Sequence, residues 1–181
     1  MKIVDTDRPL AITDVELTGL DVARHEIIDV GLVLVQPQTL EVLDTFETKA
    51  KPLHLETADP ESLKINGYNE EEWREAPHIE YALAGYLNRT VNAIFVSDNV
   101  LVDLGFIRAA VSNHQLWNRM HFCPLDLSSV AYGRLRGSNF KDFDSRSLAH
   151  RFGIPDEPKP HGALRGALRS FEIFKSIVTS T

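Results

Sequence analysis

The chain has 181 residues, 43% of them hydrophobic, which is enough for one sizeable core. Its formal net charge of −7 and pI near 5.5 argue against a protein that coats nucleic acid through bulk electrostatic attraction. No apolar run approaches the roughly 20 residues of a membrane span, and the first five residues lack the apolar stretch of a signal peptide. We therefore expect a single cytoplasmic domain over residues 1–181, without a membrane segment.

The first part of the chain predicts an antiparallel meander. The every-second-residue series Leu10, Ile12, Asp14 and Glu16 predicts a first strand. A richly apolar strand follows over Ile27–Val35, and residues 41–49 indicate a third strand. Proline in the first turn and an Asn-Gly pair at the end bound a short helix over residues 60–66. A capping box starts another helical turn at residues 69–72.

Helix and strand alternate in the rest of the chain. The spacing of apolar residues predicts helices over residues 78–89, 102–114, 127–135, 147–152 and 163–178, and strands over residues 93–97 and 121–125. A meander followed by such alternation implies an α/β fold, a mixed sheet flanked by helices. The single cysteine, Cys123, lies in the apolar stretch 122–125, where we expect a buried thiol.

Two acids on the first predicted strand are the first candidate site residues. Asp14 and Glu16 are two residues apart, so their carboxylates project from the same face of the strand. Alone, such a pair is more often an exposed strand edge than a site. A hard divalent cation, Mg²⁺ or Mn²⁺, would stabilise the two carboxylates together.

Further polar residues follow at positions where α/β proteins place ligands. Asn99 and Asp103 lie four residues apart across the start of a predicted helix that directly follows a strand, and Asp103 could supply a third carboxylate. His161 stands at the entrance of the last predicted helix. A lone histidine is more often ordinary surface, but beside three acids His161 is a candidate general base.

Several strings of the sequence, taken in order, resemble the active-site motifs of the DnaQ-like, or DEDDh, exonucleases, the family of polymerase III proofreading subunits and RNase T. The match runs from about residue 10 to residue 174, and pairs similar to those of the family occur at 66–67 and 76–77. Ordered motifs at such separations are a stronger signal than any one string. The strings are ITDVELTGLD at 12–21, EIIDVG at 26–31, NVLVDLGF at 99–106 and HGALRGA at 161–167.

The resemblance implies a ribonuclease H-like fold, an antiparallel meander continued by parallel strands, and hydrolysis of the terminal phosphodiester with two Mg²⁺ or Mn²⁺ ions roughly 4 Å apart. Asp14 would contact both ions, and Glu16 would help to hold the ion that binds the nucleophilic water. Asp103 would support the second ion. His161 would remove the proton from the attacking water.

The resemblance also implies the substrate and its contacts. The 3' end of single-stranded DNA or RNA would bind at Leu17, Thr18 and Leu20 through backbone groups and apolar contact, with Asn99 beside them. Such contacts are largely blind to base identity. A homodimer and a polymerase-type partner are both open as assemblies.

Gly166 is the main departure from the family pattern, which has a metal-binding aspartate five residues after its histidine. Losing a metal ligand should cost at least the 10–100-fold that is typical for losing its supporting groups. The chain also has Asp98 where histidine is usual and Val102 where phenylalanine is usual.

Three interpretations of Gly166 compete. In the first, a weakened enzyme survives because water, Asp156 or Glu157 completes the metal shell. In the second, the site is inactive and the fold serves to bind nucleic acid or a protein partner. In the third, Arg165 reaches into the space that the aspartate leaves and its guanidinium replaces one cation. Retention of Asp14, Glu16, Asp103 and His161 favours a metal-dependent 3'–5' exonuclease.

Overall fold

The structure is a computed structural model that describes residues 7–137 and 142–180. Residues 1–5, on which the expectation of a missing signal peptide rested, lie outside the described residues. Five strands form one sheet in the order β3-β2-β1-β4-β5. Their bounds are β1 Leu10–Leu17, β2 Ile27–Val35, β3 Val42–Lys49, β4 Ile94–Ser97 and β5 Leu125–Asp126. β1 pairs antiparallel with β2, and β2 with β3, whereas the pairs β1–β4 and β4–β5 are parallel. The predicted mixed sheet is confirmed.

Helices cover both faces of this sheet. Their bounds are α1 Pro60–Asn66, α2 Glu70–Trp73, α3 Ile79–Arg89, α4 Val100–Asn113, α5 Leu127–Leu135, α6 Ser145–Phe152 and α7 Ala163–Thr179. The side chains of Asp59 and Asn69 accept hydrogen bonds from the first turns of α1 and α2, as their sequences predict. Within the described residues, none of these helices combines the length and the apolar character that a membrane crossing requires.

The two faces of β1 belong to two different cores. Leu10 and Ile12 pack with α5, α6 and α7, while Ala11, Val15 and Leu17 pack with α3 and α4. Because alternate side chains of a strand point to opposite faces, the even-numbered positions of β1 look toward α7. The acids at positions 14 and 16 therefore face that helix.

The start of α7 lies directly on the sheet. A Cβ at Gly31 of β2 would be 2.1 Å from the carbonyl carbon of Ala163, so only glycine allows this approach. The N-cap residue of α7 makes no side-chain hydrogen bond to the first backbone N–H groups of the helix. The N–H of Ala163 instead donates to Asp29 Oδ2 (3.4 Å) and that of Leu164 to Glu47 Oε1 (3.2 Å). Burial, with help from the charge of Glu47, raises the pKa of Asp29 to about 6.

The region before β5 differs from the prediction. The expected strand over residues 121–125 is reduced to Leu125–Asp126, and the chain before it runs as a loop. Pro124 has no N–H to donate to a ladder, which helps to explain why pairing begins only after it. Without a strand to bury it, Cys123 is exposed, so the expectation of a buried thiol was wrong.

Candidate active site

A cleft of about 620 Å³ opens between β1 and the segment that leads into α7. Its lining combines acidic groups with three basic side chains. The acidic members include Asp14, Glu16, Asp98 and Glu157, the basic members are Arg146, Lys159 and Arg169, and His161 lies among them. A cleft that carries acidic and basic groups side by side can hold cations and phosphates together.

Three predicted metal ligands act on one another electrostatically. Burial raises the pKa of Asp14 well above its ordinary value, and the negative charges of Asp103 and Glu16 raise it further. Burial also raises the pKa of Asp103. The charge of Asp98 raises this pKa further, whereas hydrogen bonds from the backbone amides of Asn99 and Val15 lower it. Asp14, Glu16 and Asp103 thus repel one another in a way that a divalent cation would relieve, although the three do not meet within the 4.8 Å that joins Glu16 to Glu157 and His161.

Glu16 is the most informative of these carboxylates. Its residue is only 9% exposed, yet within the described residues its side chain has no hydrogen bond or ion pair with another protein group. Burial, followed by the charge of Glu157, raises its pKa to about 8. Because this carboxylate opens onto the cleft and no described protein group neutralises it, it offers its oxygens to a ligand there.

Glu157 and His161 lie next to Glu16. One ligand atom from each of these three residues falls within 4.8 Å of the other two. The Oε2 atom of Glu157 is 3.8 Å from His161 Nδ1, and its Oε1 atom accepts a hydrogen bond from the backbone N–H of Gly162 (3.1 Å). In the described part of the chain this is the group of acids and histidine that could hold a metal ion.

Gly166 faces Asp14 across the junction of α7 and β1. A Cβ at position 166 would lie 2.2 Å from Asp14 Oδ2 and 2.7 Å from its Cγ. The carboxylate of Asp14 therefore occupies the place where a side chain at 166 would begin. A side chain at position 166 would therefore require the Asp14 carboxylate to turn aside.

Arg165 does not enter the cleft. Its guanidinium turns back over Gly162 and donates a hydrogen bond to the carbonyl of Pro160. Its positive charge lowers the pKa of Glu16 to a small extent compared with burial. The interpretation in which this guanidinium takes the place of a cation beside Gly166 is thus contradicted by the position of the side chain.

The predicted substrate contacts occupy two different environments. Thr18 is fully buried, its hydroxyl accepts a hydrogen bond from Glu26 N (2.8 Å), and the backbone carbonyl of Leu17 accepts one from Asn66 Nδ2 (2.9 Å). Leu20 is 74% exposed and Asn99 caps α4 at an exposed position. Leu20 is accordingly the apolar side chain of this set that is open to a nucleotide.

Arg169 is a cleft residue that no motif identified. It lies on α7 three residues after Gly166, so the helical repeat places it near the same face of the helix. Its Nη1 donates to Ser145 Oγ (2.8 Å) and its Nε to the carbonyl of Pro155 (3.3 Å). The sequence could have indicated Arg169 only through its helical spacing from Gly166. Its contacts with residues 145 and 155 depend on tertiary structure.

Known proteins resemble this chain over nearly its whole length. The exonuclease family model RNase_T matches residues 11–174. A PolC-type DNA polymerase III of Caldanaerobacter subterraneus subsp. tengcongensis is 33% identical over 167 residues, which cover 90% of this chain and 11% of the polymerase. A PolC-type DNA polymerase III of Thermotoga petrophila is 32% identical over 169 residues, which cover 92% of this chain and 12% of the polymerase. The chain spans about a tenth of the length of these polymerases.

Solved nuclease structures share the fold. The nuclease domain of 3'hExo, a DEDDh family member bound to rAMP, superimposes with a TM-score of 0.74 at 16% identity and covers 96% of this chain and 94% of its own. E. coli Exonuclease I in complex with a dT13 oligonucleotide superimposes with a TM-score of 0.77 at 18% identity. The match covers 95% of this chain and 41% of the Exonuclease I chain. The predicted ribonuclease H-like fold is confirmed by these likenesses.

We expect Gly166→Ala to destabilise the protein by on the order of 1 kcal/mol or more. Overpacking against Asp14 costs about 1–3 kcal/mol, which exceeds the roughly 1 kcal/mol that alanine gains over glycine in a helix. Gly105→Ala in α4 is the matched control, because a Cβ there meets nothing within 4 Å. Urea denaturation should show a loss for the first variant and a gain for the second. A gain in both would contradict the contact.

In EDTA, we expect the free energy of unfolding to fall as the pH rises from about 5 to about 8. The pKa of Glu16 is about 8 in the folded protein against 4.5 ordinarily, so the folded state keeps a proton that the unfolded chain has released. This stabilisation is complete below the unfolded pKa and is lost as the pH passes the folded pKa, at up to about 1.4 kcal/mol per pH unit.

Urea titrations at several pH values measure this slope. Glu16→Gln should make the slope shallower, although Asp14, Asp29 and Asp103 still contribute to it, whereas Glu70→Gln, at an exposed position in α2, should keep the wild-type slope. Equal slopes for wild type and Glu16→Gln would show that Glu16 is not the titrating group.

Proposed function

Because the chain belongs to the exonuclease family whose model covers residues 11–174, we propose that it is a divalent-metal-dependent 3'–5' exonuclease. The observation that carries the proposal is Glu16, a buried carboxylate that opens onto a cleft and has no protein partner among the described residues. We also propose that residues 1–181 act as one exonuclease domain.

The donor set fits a hard divalent cation. Carboxylate oxygens are the ligands that Mg²⁺ and Mn²⁺ prefer, and Asp14, Glu16 and Asp103 already repel one another in the absence of a counter-charge. We assign these three residues to two ions. When bound, the ions supply electrostatic stabilisation of the attacking and leaving oxygens and lower the pKa of water.

The other cleft residues supply the proton acceptor and the phosphate contacts. The side chain of His161 is 32% exposed, so it can accept the proton of the attacking water and return it to solvent. Arg146, Lys159 and Arg169 line the same cleft and offset the repulsion that its acidic groups exert on the phosphates of the substrate. Leu20 offers apolar contact to a terminal base.

The rate should be below that of a family member with aspartate at position 166, because Gly166 offers no ligand. The substrate class is the 3' end of single-stranded DNA or RNA. The polymerases that resemble the chain favour a polymerase-type partner over a homodimer as the assembly in which the domain works. Light scattering on the purified chain would reveal a homodimer.

We expect the protein to shorten 5'-labelled single-stranded DNA or RNA from the 3' end in Mg²⁺ or Mn²⁺. Asp14→Ala should lower the rate at least 100-fold, because Asp14 is assigned to both ions. Gel electrophoresis should show a ladder of 5'-labelled products that become shorter as nucleotides leave the 3' end.

A Gly166→Asp variant separates the two remaining interpretations. If this variant degrades the substrate and the wild type does not, the wild-type chain is not an enzyme. Wild-type binding of oligonucleotide without cleavage in either metal would then favour a non-catalytic binding module.

A further inference from the structure

We propose that Glu157 and Glu16, beside His161, are ligands of one divalent cation, so that the loop before α7 supplies the carboxylate that Gly166 does not. The inference rests on the proposed function, since it names ligands for one of its ions. It assigns to the chain a metal site whose members come from a strand and a loop rather than from the middle of α7.

The spacing of the three side chains suits one ion. Their ligand atoms lie within 4.8 Å of one another. Oxygen ligands of Mg²⁺ stand about 2.0–2.1 Å from the ion, which places neighbouring ligands about 3 Å apart. A bound cation would therefore draw the carboxylates of Glu16 and Glu157 closer together than they stand here.

Glu16 independently points to a ligand in this place. It is 91% removed from solvent, as its 9% exposure shows, and none of the described residues hydrogen-bonds or pairs with its carboxylate. Buried carboxylates are otherwise almost always paired or bound to a metal. A cation between Glu16 and Glu157 would satisfy both groups.

Gly166 brings no ligand atom to the cleft. The carboxylate of Asp14 lies where the Cβ of a side chain at 166 would start, with Oδ2 at 2.2 Å. An aspartate there would require Asp14 to move. In this chain another segment can supply the missing carboxylate, and the loop between α6 and α7 reaches Glu16.

The loop is held so that Glu157, rather than its neighbour Asp156, faces Glu16. Asp156 is 80% exposed and lies 3.8 Å from Arg169 Nη2, whereas the Glu157 side chain is 15% exposed and accepts the hydrogen bond from Gly162 N. Arg169 also donates to the carbonyl of Pro155. Because it fixes two successive residues before Glu157, Arg169 is a positioning residue for this ligand.

The test is Mn²⁺ binding by titration calorimetry on the full chain, without substrate. Glu157→Gln keeps the shape of the side chain and should weaken one Mn²⁺ site by 10-fold or more. Glu172→Gln, at an exposed position of α7 that does not line the cleft, is the control and should stay within about 2-fold of wild type. Circular dichroism and melting in EDTA establish that each variant is folded.

The outcomes separate this inference from the proposed function. If Glu157→Gln binds Mn²⁺ with wild-type affinity and stoichiometry, the assignment of Glu157 is wrong while the metal-dependent site stands. If the wild type binds no Mn²⁺, both fail. Should Glu157→Gln not fold, Glu157→Asp serves instead. It retracts the carboxylate by one methylene and should weaken the same site, so unchanged binding would overturn the assignment.

Discussion

The close approach of α7 to β1 and β2 is the constraint on which the site depends. Gly31 allows it, because a Cβ there would strike the backbone of Ala163, whereas a Cβ at Gly166 would meet only the side chain of Asp14. The approach brings His161 and Glu157, which precede the helix, to the acids of β1. Packing at one helix thus decides which side chains meet.

The same approach concentrates negative charge. Asp14, Glu16 and Asp103 act on one another in a buried setting, and burial is the main reason why their pKa values rise. The basic groups of the cleft come from the last part of the chain, where residues 131–181 hold nine basic and five acidic side chains. An acidic chain can therefore present a local surface that tolerates phosphate, although its overall charge of −7 repels nucleic acid.

Periodicity and capping residues were enough to predict the mixed sheet, its meander and the helices, because these signals are local. The same-face placement of Asp14 and Glu16 followed from the two-residue repeat of a strand. The exposed Cys123 was mispredicted, because whether an apolar segment finds a strand partner depends on tertiary contacts. The choice of Glu157 over Asp156 depends on how Arg169 holds the loop, and neighbouring acids look alike in a sequence.

Anomalous diffraction from crystals of the full chain soaked in Mn²⁺ would locate the ions among the side chains. We predict an Mn²⁺ peak bonded by both Glu16 and Glu157, next to His161. A peak held by the acids of β1 and Asp103 without Glu157, or no peak in the cleft, would contradict it.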